Sequence, residues 1–179
     1  LLEAAKDRVF VAPGIAILYA MLNEAEAYGI TRAKATQMGY QREWDTALES
    51  LRAMHKRGVR VLPGGDYGFA FTPHGQNARD LEFFVKYLGF TPMEAIRSAT
   101  VYGGQIMMRG DEPGAVKDGY LADLLLVRGN PVQDVSLLQH QHNLAMIMKD
   151  GVAHKLDLRP QAGQIAAPHS QVAEVVRGR

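Results

Sequence analysis

The chain has no cysteine among its 179 residues. This excludes disulfide bonds, zinc sites built from thiolates and a cysteine nucleophile, and it is typical of a cytoplasmic protein, which is the location that we expect. Neither sign of charge is in excess, because 20 Lys and Arg residues face 19 Asp and Glu residues. A net charge of +1 gives no reason to expect nucleic acid or an anionic membrane as a partner.

The sequence also lacks a long unbroken apolar run. An apolar stretch at residues 9–22 is interrupted by Pro13 and Gly14, follows several charged residues and has no small-residue cleavage site after a basic leader. We interpret it as a buried strand at 8–12 followed by a helix at 15–28. There is no initiating Met, and the sequence opens in a helical pattern, so we expect the chain to begin partway through a longer protein.

One stretch, VRVLPGGDYGFAFTPHG at residues 59–75, organises the chain. Residues 59–62 are typical of a strand, and Pro63, Gly64 and Gly65 stop it and place Asp66 at its end. In parallel βα architectures the carboxyl ends of the strands face the reaction site, where an Asp beside two glycines can approach a metal or a substrate. Asp next to Gly is equally common in turns, so this pattern alone also fits an Asp that caps a turn.

The residues on either side of this stretch predict helices. Residues 29–40 are polar and rich in helix breakers, which predicts a long loop or lid-like insertion, and 41–56 has a helical apolar period with His55 at its end, where positive charge is favoured. Asn77 is placed to cap the next helix, which closes at Gly89. The buried stripe predicted for that helix is Leu81, Phe84, Val85 and Leu88.

The sequence from residue 91 onward predicts one more helix and then strands joined by turns. Thr91-Pro92-Met93-Glu94 is a capping box that starts a helix running to about residue 102. A short strand after residue 114, a turn at Asp118-Gly119, a strand at 122–127 and a hairpin of 144–149 with 152–155 follow. We therefore divide the chain into a βα part at 1–110, a β part at 111–158 and a tail at 159–179.

Three of these segments, taken in order, carry a family resemblance: the strand-end Gly-Gly-Asp, the capping box with its helix, and GYLADLLLV at 119–127. Together they resemble the C-terminal third of a metal-dependent amidohydrolase, nearest to the branch with imidazolonepropionase-like and Xaa-Pro dipeptidase-like members. The resemblance implies an α/β fold: the last two strands and helices of a (β/α)8 TIM-type barrel, with part of a small β-sandwich beside it.

The resemblance also implies the chemistry. It implies one or two divalent metals, usually zinc, and metal-activated water that cleaves carbon–nitrogen bonds in amides, cyclic amides or dipeptides. Asp66 matches the family's Asp at the end of the eighth strand, which binds the metal and takes a proton from the bridging water. His74 and Tyr67, in the loop after it, are candidates for substrate contact, and for His74 a purely structural place in a polar loop is equally open.

The family's other ligands have no counterpart in this sequence. The family uses a His-x-His pair on the first strand, a carboxylated Lys or a Glu on the fourth, and His on the fifth and sixth. The His-x-His at 140–142 lies in a polar connection, where we expect a solvated loop. We therefore expect the chain alone to be inactive, and to obtain the missing ligands from an N-terminal barrel segment. Open strand edges and a bare apolar face also favour self-association.

Two other functions fit parts of the sequence. A non-catalytic assembly or binding module would use the exposed barrel face. A magnesium-dependent phosphoryl-transfer domain would use a strand-end Asp, but no second acidic residue stands beside Asp66 and no glycine loop with Lys is present to cradle phosphate.

Overall fold

The computed structural model describes residue 4 and residues 6–159, so nearly all of the predicted tail at 159–179 lies outside the described residues. Its first sheet is a parallel pair, β1 (Phe10–Val11) and β2 (Arg60–Val61), with Phe10 opposite Arg60. The Leu62 N–H extends the pairing by donating to the Val11 carbonyl at 3.0 Å. Both predicted strands are therefore present, but they are short.

Helices connect β1 to β2. They are α1 (Ile15–Asn23), a 3-10 turn (Glu26–Tyr28), α2 (Arg32–Gln37) and the long α3 (Tyr40–Lys56). The predicted helix at 41–56 is confirmed, whereas the one predicted at 15–28 breaks after residue 23. Among the described residues, none of the helices has both the length and the apolar character needed to cross a bilayer.

The loop or lid predicted at 29–40 is wrong, because this segment contains α2. Thr31 Oγ1 accepts a hydrogen bond from the Lys34 N–H at 3.3 Å, which caps the helix. Ala35 is fully buried and anchors the segment against its neighbours. A single buried side chain gives no apolar periodicity, so the sequence pattern could not reveal such a short helix.

After β2, α4 (Arg79–Phe83) continues directly into a π-helical turn (Phe84–Leu88) that ends at Gly89 in a left-handed conformation. The predicted side-chain cap at Asn77 is wrong. Ala78 precedes the helix without a side-chain cap, and Asn77 contributes only its backbone carbonyl, which accepts from the Asp80 N–H at 3.3 Å.

The predicted capping box is confirmed at the start of α5 (Pro92–Ala99), which is followed by α6 (Val101–Ile106). The Glu94 N–H donates to Thr91 Oγ1 at 3.2 Å, and the Thr91 N–H donates to Glu94 Oε2 at 2.7 Å. These bonds from Thr91 hold the pKa of Glu94 below its ordinary value. The ionised Glu94 carboxylate therefore adds its full contribution to folding stability above the unfolded pKa of about 4.3. This contribution is lost as the pH falls through the lower pKa of the folded state.

Replacing Thr91 by alanine is expected to lower the free energy of unfolding by about 1 kcal/mol at neutral pH, because the Glu94 N–H loses its acceptor and the Glu94 carboxylate loses the Thr91 hydroxyl. Urea denaturation measures this. Thr36 is the control, since it is exposed inside α2 and makes no cap, and Thr36→Ala is expected to leave stability unchanged or slightly higher. Equal losses for the two variants would contradict the role of the capping box.

The second sheet is antiparallel in the order β3 (Leu124–Val127), β4 (Leu144–Lys149) and β5 (Val152–Leu156). The predicted hairpin is confirmed, with Asp150 and Gly151 both at positive φ. The short strand predicted before Asp118 is wrong, because residues 114–118 form bends, irregular backbone and the start of a turn. Val116 there is 90% exposed and has no neighbouring strand in the described part of the chain.

The helices and β2 share one hydrophobic core. Val61 is buried on the helix side of β2, and Phe84 and Leu88 are buried in the π-helical turn. Val135, from the 3-10 helix Val135–Gln139, joins the same cluster. The connection between β3 and β4 is thus packed against the helices that follow β2.

Candidate functional site

The loops after the two parallel strands meet at the carboxyl end of the sheet. A Cβ built on Gly14, after β1, would lie 3.8 Å from Asp66 Cβ, after β2. Asp66 is exposed and adopts φ 55°, in the left-handed region that Asp tolerates better than most residues. Its backbone carbonyl accepts from Thr72 Oγ1 at 3.2 Å, whereas its carboxylate has no hydrogen-bond partner among the described residues. The carboxylate does not cap a turn.

The loop that carries Asp66 and His74 is held by Thr72, which is 1% exposed. The Gly68 N–H donates to the Thr72 carbonyl at 2.8 Å, and the Thr72 N–H donates to the Phe69 carbonyl at 3.0 Å. His74 is exposed and folds back over Gly68, where an added Cβ would lie 3.3 Å from His74 Nε2. Asp66 and His74 thus belong to one compact loop.

Asp80, in the first turn of α4, is 1% exposed and bonds to the backbone and side chain of the Asp66 loop. Asp80 Oδ2 accepts from the Gly64 N–H at 3.0 Å, and Oδ1 accepts from the Tyr67 hydroxyl at 3.0 Å. Burial raises the pKa of Asp80 above its ordinary value, and the hydrogen bonds from Tyr67 and Gly64 oppose that rise. The carboxylate is therefore a buried acceptor for two donors.

Tyr67 is partly buried, and its hydroxyl is engaged by Asp80. Burial and the neighbouring Asp80 carboxylate raise the pKa of the phenol well above its ordinary value. Its role in substrate contact stays a prediction. Sequence reasoning missed Asp80 and Thr72, because an Asp in the first turn of a helix and a Thr before Pro are both common without any functional role.

Replacing Gly65 by alanine is expected to destabilise the protein by about 1–3 kcal/mol through overpacking. The new Cβ would collide with the Tyr67 ring and lie 2.8 Å from Asp80 Oδ1. Thermal and chemical denaturation measure the loss. Gly103→Ala is the matched control: nothing lies within 4 Å of a Cβ there, and the position is inside α6, so that variant is expected to gain stability. A Gly65 variant as stable as the unmodified chain would disprove the close packing.

An aromatic rim lies at the tip of the Asp66 loop. The Tyr28 hydroxyl donates to the Ala70 carbonyl at 2.9 Å, and the Tyr28 and Phe71 rings form a T-shaped pair with 5.9 Å between centroids. Phe69 and Phe71 stack in parallel at 5.7 Å. Since Tyr28 is 53% and Phe69 49% exposed, the rim offers apolar surface to solvent.

The other histidines considered in the sequence lie elsewhere. His55 is in the last turn of α3, as predicted, and stacks on Phe90 with 3.6 Å between ring centroids. It lines a cavity of about 190 Å³ together with Val59, which precedes β2, so this cavity lies at the opposite end of the strand from Asp66. His140 lies between two 3-10 helices and His142 lies in the second of them, and both are exposed, which confirms the predicted solvated connection.

The residues that the structure describes do not complete a metal site among themselves. In residues 4 and 6–159, no three His, Asp or Glu side chains come close enough together to hold a metal ion. A catalytic zinc ion usually takes three protein ligands, and Asp66 offers one exposed carboxylate. The described residues can therefore contribute one ligand at this position.

Comparison with known proteins gives the class. The sequence profile described as the amidohydrolase family matches residues 2–153. The chain therefore belongs to the amidohydrolase family.

Individual relatives agree with this assignment. Ochratoxinase of Aspergillus niger is 30% identical over 113 residues, which are 62% of this chain and 22% of that protein. A candidate prolidase from Bifidobacterium longum superposes with a TM-score of 0.71 at 27% identity over 84% of this chain and 36% of its own. A Xaa-Pro dipeptidase with methionine bound in its active site gives a TM-score of 0.66 at 28% identity, over 85% of this chain and 37% of its own.

These comparisons describe both the fold of the chain and its length relative to the relatives. The mixed α/β structure has the amidohydrolase fold over most of its length. It spans little more than a third of the solved relatives and about a fifth of ochratoxinase.

Proposed function

We propose that the chain is the C-terminal part of a metal-dependent hydrolase that cleaves carbon–nitrogen bonds in amides, cyclic amides or dipeptides. The observation that carries the proposal is the exposed Asp66 carboxylate at the carboxyl end of the parallel pair, with no hydrogen-bond partner among the described residues. Membership of the amidohydrolase family supports the reaction class. The likeness to a Xaa-Pro dipeptidase at 28% identity supports dipeptides as substrates.

In this proposal β1 and β2 are the seventh and eighth strands of a (β/α)8 barrel, and β3 to β5 belong to a small β-sandwich. The domain limits remain those expected from the sequence, 1–110 and 111–158. The short parallel pair supports the barrel assignment, because its other edges have no partner strand in the described chain. The relatives' greater length supports the existence of the remaining strands.

Asp66 has two tasks in this mechanism. Asp66, together with ligands from the rest of the barrel, would hold a divalent metal, zinc being our first choice, and that metal would lower the pKa of a bound water. Asp66 would accept a proton from the attacking water and transfer it to the leaving nitrogen, which requires hydrogen-bond reach to both. His74, on the same loop, would contact the substrate, and the Tyr67 ring would line its path.

The chain alone is expected to be inactive, since it offers one metal ligand. The test is to co-express it with the N-terminal barrel segment that the proposal requires, add zinc, and assay Xaa-Pro dipeptides and N-acyl amino acids for released amine. We expect hydrolysis with both segments and metal, and none with either segment alone or after chelation. A complete, metal-loaded assembly that hydrolyses no amide in the panel would overturn the proposal.

A second candidate, a non-catalytic assembly module, is favoured by exposed apolar side chains. Met108 is 91% exposed, and on the second sheet Leu125, Val152 and Leu156 are each more than half exposed. Such surface favours self-association or cover by the missing segment. Light scattering of the chain with and without that segment separates the two. Stable homo-oligomers that persist when the segment is present, without hydrolysis, would favour the assembly module.

A further inference from the structure

Asp80 bonds to the chain on both sides of Asp66 and makes no hydrogen bond to Asp66 among the described residues. Before Asp66 it accepts from the Gly64 N–H, and after it from the Tyr67 hydroxyl. The contacts leave no spare room, because a single methyl group added at Gly65 would lie 2.8 Å from Asp80 Oδ1. The buried Asp80 carboxylate therefore connects the chain segments before and after the exposed Asp66.

These hydrogen bonds support the backbone of Asp66, which is in a left-handed conformation at φ 55°. A residue other than glycine keeps such a conformation only where its surroundings impose it. Thr72 Oγ1 donates to the Asp66 carbonyl, and Asp80 accepts from the Gly64 N–H before Asp66 and from the Tyr67 hydroxyl after it. The direction of the Asp66 carboxylate is thus set from α4, which lies in the hydrophobic core.

We propose that Asp80 is a positioning residue for hydrolysis: it orients the Asp66 carboxylate by holding Gly64 and Tyr67 through hydrogen bonds, and makes no contact with the substrate. The inference rests on the proposed function, because it assigns a catalytic consequence to the geometry of Asp66. A displacement of about 1 Å in a proton acceptor lowers a rate by about 10²-fold. Loss of the clamp should therefore slow the chemical step and leave substrate affinity in place.

Three variants of the complete metal-loaded protein test this: Asp80→Ala, Asp80→Asn and, as the control, Asp111→Asn. Asp111 is exposed and has no hydrogen-bond partner among the described residues. An asparagine at position 80 can still accept from Gly64 and donate to the Tyr67 hydroxyl, so the fold is kept while the charge-assisted bonds become ordinary ones. The alanine variant removes the acceptor altogether.

We expect kcat to fall about tenfold for Asp80→Asn and about 10²-fold for Asp80→Ala, with KM within about twofold, and no change for Asp111→Asn. Hydrogen–deuterium exchange of the peptide covering residues 63–68 should accelerate in the same order. A loss of packing alone would raise KM or lower the active fraction, which titration of bound metal measures, without this matched order in kcat and exchange.

The outcomes separate the two proposals. If Asp66→Asn abolishes hydrolysis while Asp80→Ala keeps full kcat, the positioning role is overturned and the proposed function stands. If Asp66→Asn keeps full hydrolysis, the proposed function fails and the catalytic role of Asp80 fails with it, whatever the exchange rates show. Parallel losses at both positions, with KM retained at position 80, support both.

Discussion

Replacing Asp66 by asparagine in the complete protein is expected to reduce kcat/KM for amide hydrolysis by about 10³-fold, the middle of the range for removal of a general acid–base group. Asparagine has the same shape and also tolerates left-handed backbone conformations, so the φ of 55° is kept. Because the carboxylate is exposed and forms no hydrogen bond within the described chain, the free energy of unfolding should change by no more than about 0.5 kcal/mol. Steady-state kinetics and urea denaturation of the same preparation measure both quantities.

The matched control for this substitution is Asp118→Asn. Asp118 is also an exposed Asp in a turn, far along the chain from the parallel pair, and its replacement should leave both quantities unchanged. An Asp66 variant that retains more than about a tenth of the original kcat/KM would show that proton transfer uses another group. A large loss of stability in the same variant would instead show that the carboxylate has a structural partner.

Replacing Phe84 by alanine is expected to lower the free energy of unfolding by about 3–5 kcal/mol, through lost burial and the cavity left behind. Phe84 is fully buried at the start of the π-helical turn, and its ring lies 4.9 Å from that of Phe90. The Phe84 carbonyl also accepts from the Phe90 N–H at 3.2 Å, so the two residues are joined through side chain and backbone. Chemical denaturation of the variant measures the change.

Phe69→Ala serves as the control, because Phe69 is 49% exposed on the aromatic rim and loses far less apolar burial. We expect its cost to stay below about 1 kcal/mol. Similar losses at the two positions would mean that the core is not centred on the π-helical turn. A Phe84 variant with unchanged stability would contradict the packing directly.

The elements that sequence reasoning predicted well are those encoded locally. The spacing of Trp44, Leu48 and Leu51 marks one face of α3, and Leu48 and Leu51 are buried there. The capping box at Thr91 and the Asp150-Gly151 hairpin each depend on a few adjacent residues. In all three cases the chain segment carries its own hydrogen-bond partners, so no distant contact was needed to predict it.

The errors fall where distant contacts decide the structure. The helix α2 is anchored by one buried residue, Ala35, and residues 114–118 have no strand to pair with in the described chain. In the site, a strand followed by two glycines was enough to place Asp66. Asp80 could not be found in this way, because its bonds reach back 13 residues to Tyr67 and 16 to Gly64. Nothing in a linear pattern distinguishes such an Asp from an ordinary helix start.

The bond from the Tyr28 hydroxyl to the Ala70 carbonyl has a consequence for ligand entry. It fastens the outermost part of the Asp66 loop to the segment that follows α1, while Thr72 fastens its base. The loop therefore loses its conformational entropy during folding, so a molecule that binds beside it does not have to order it. Under the proposed function, selection among substrates would then depend on how well each matches the shape that this loop already has.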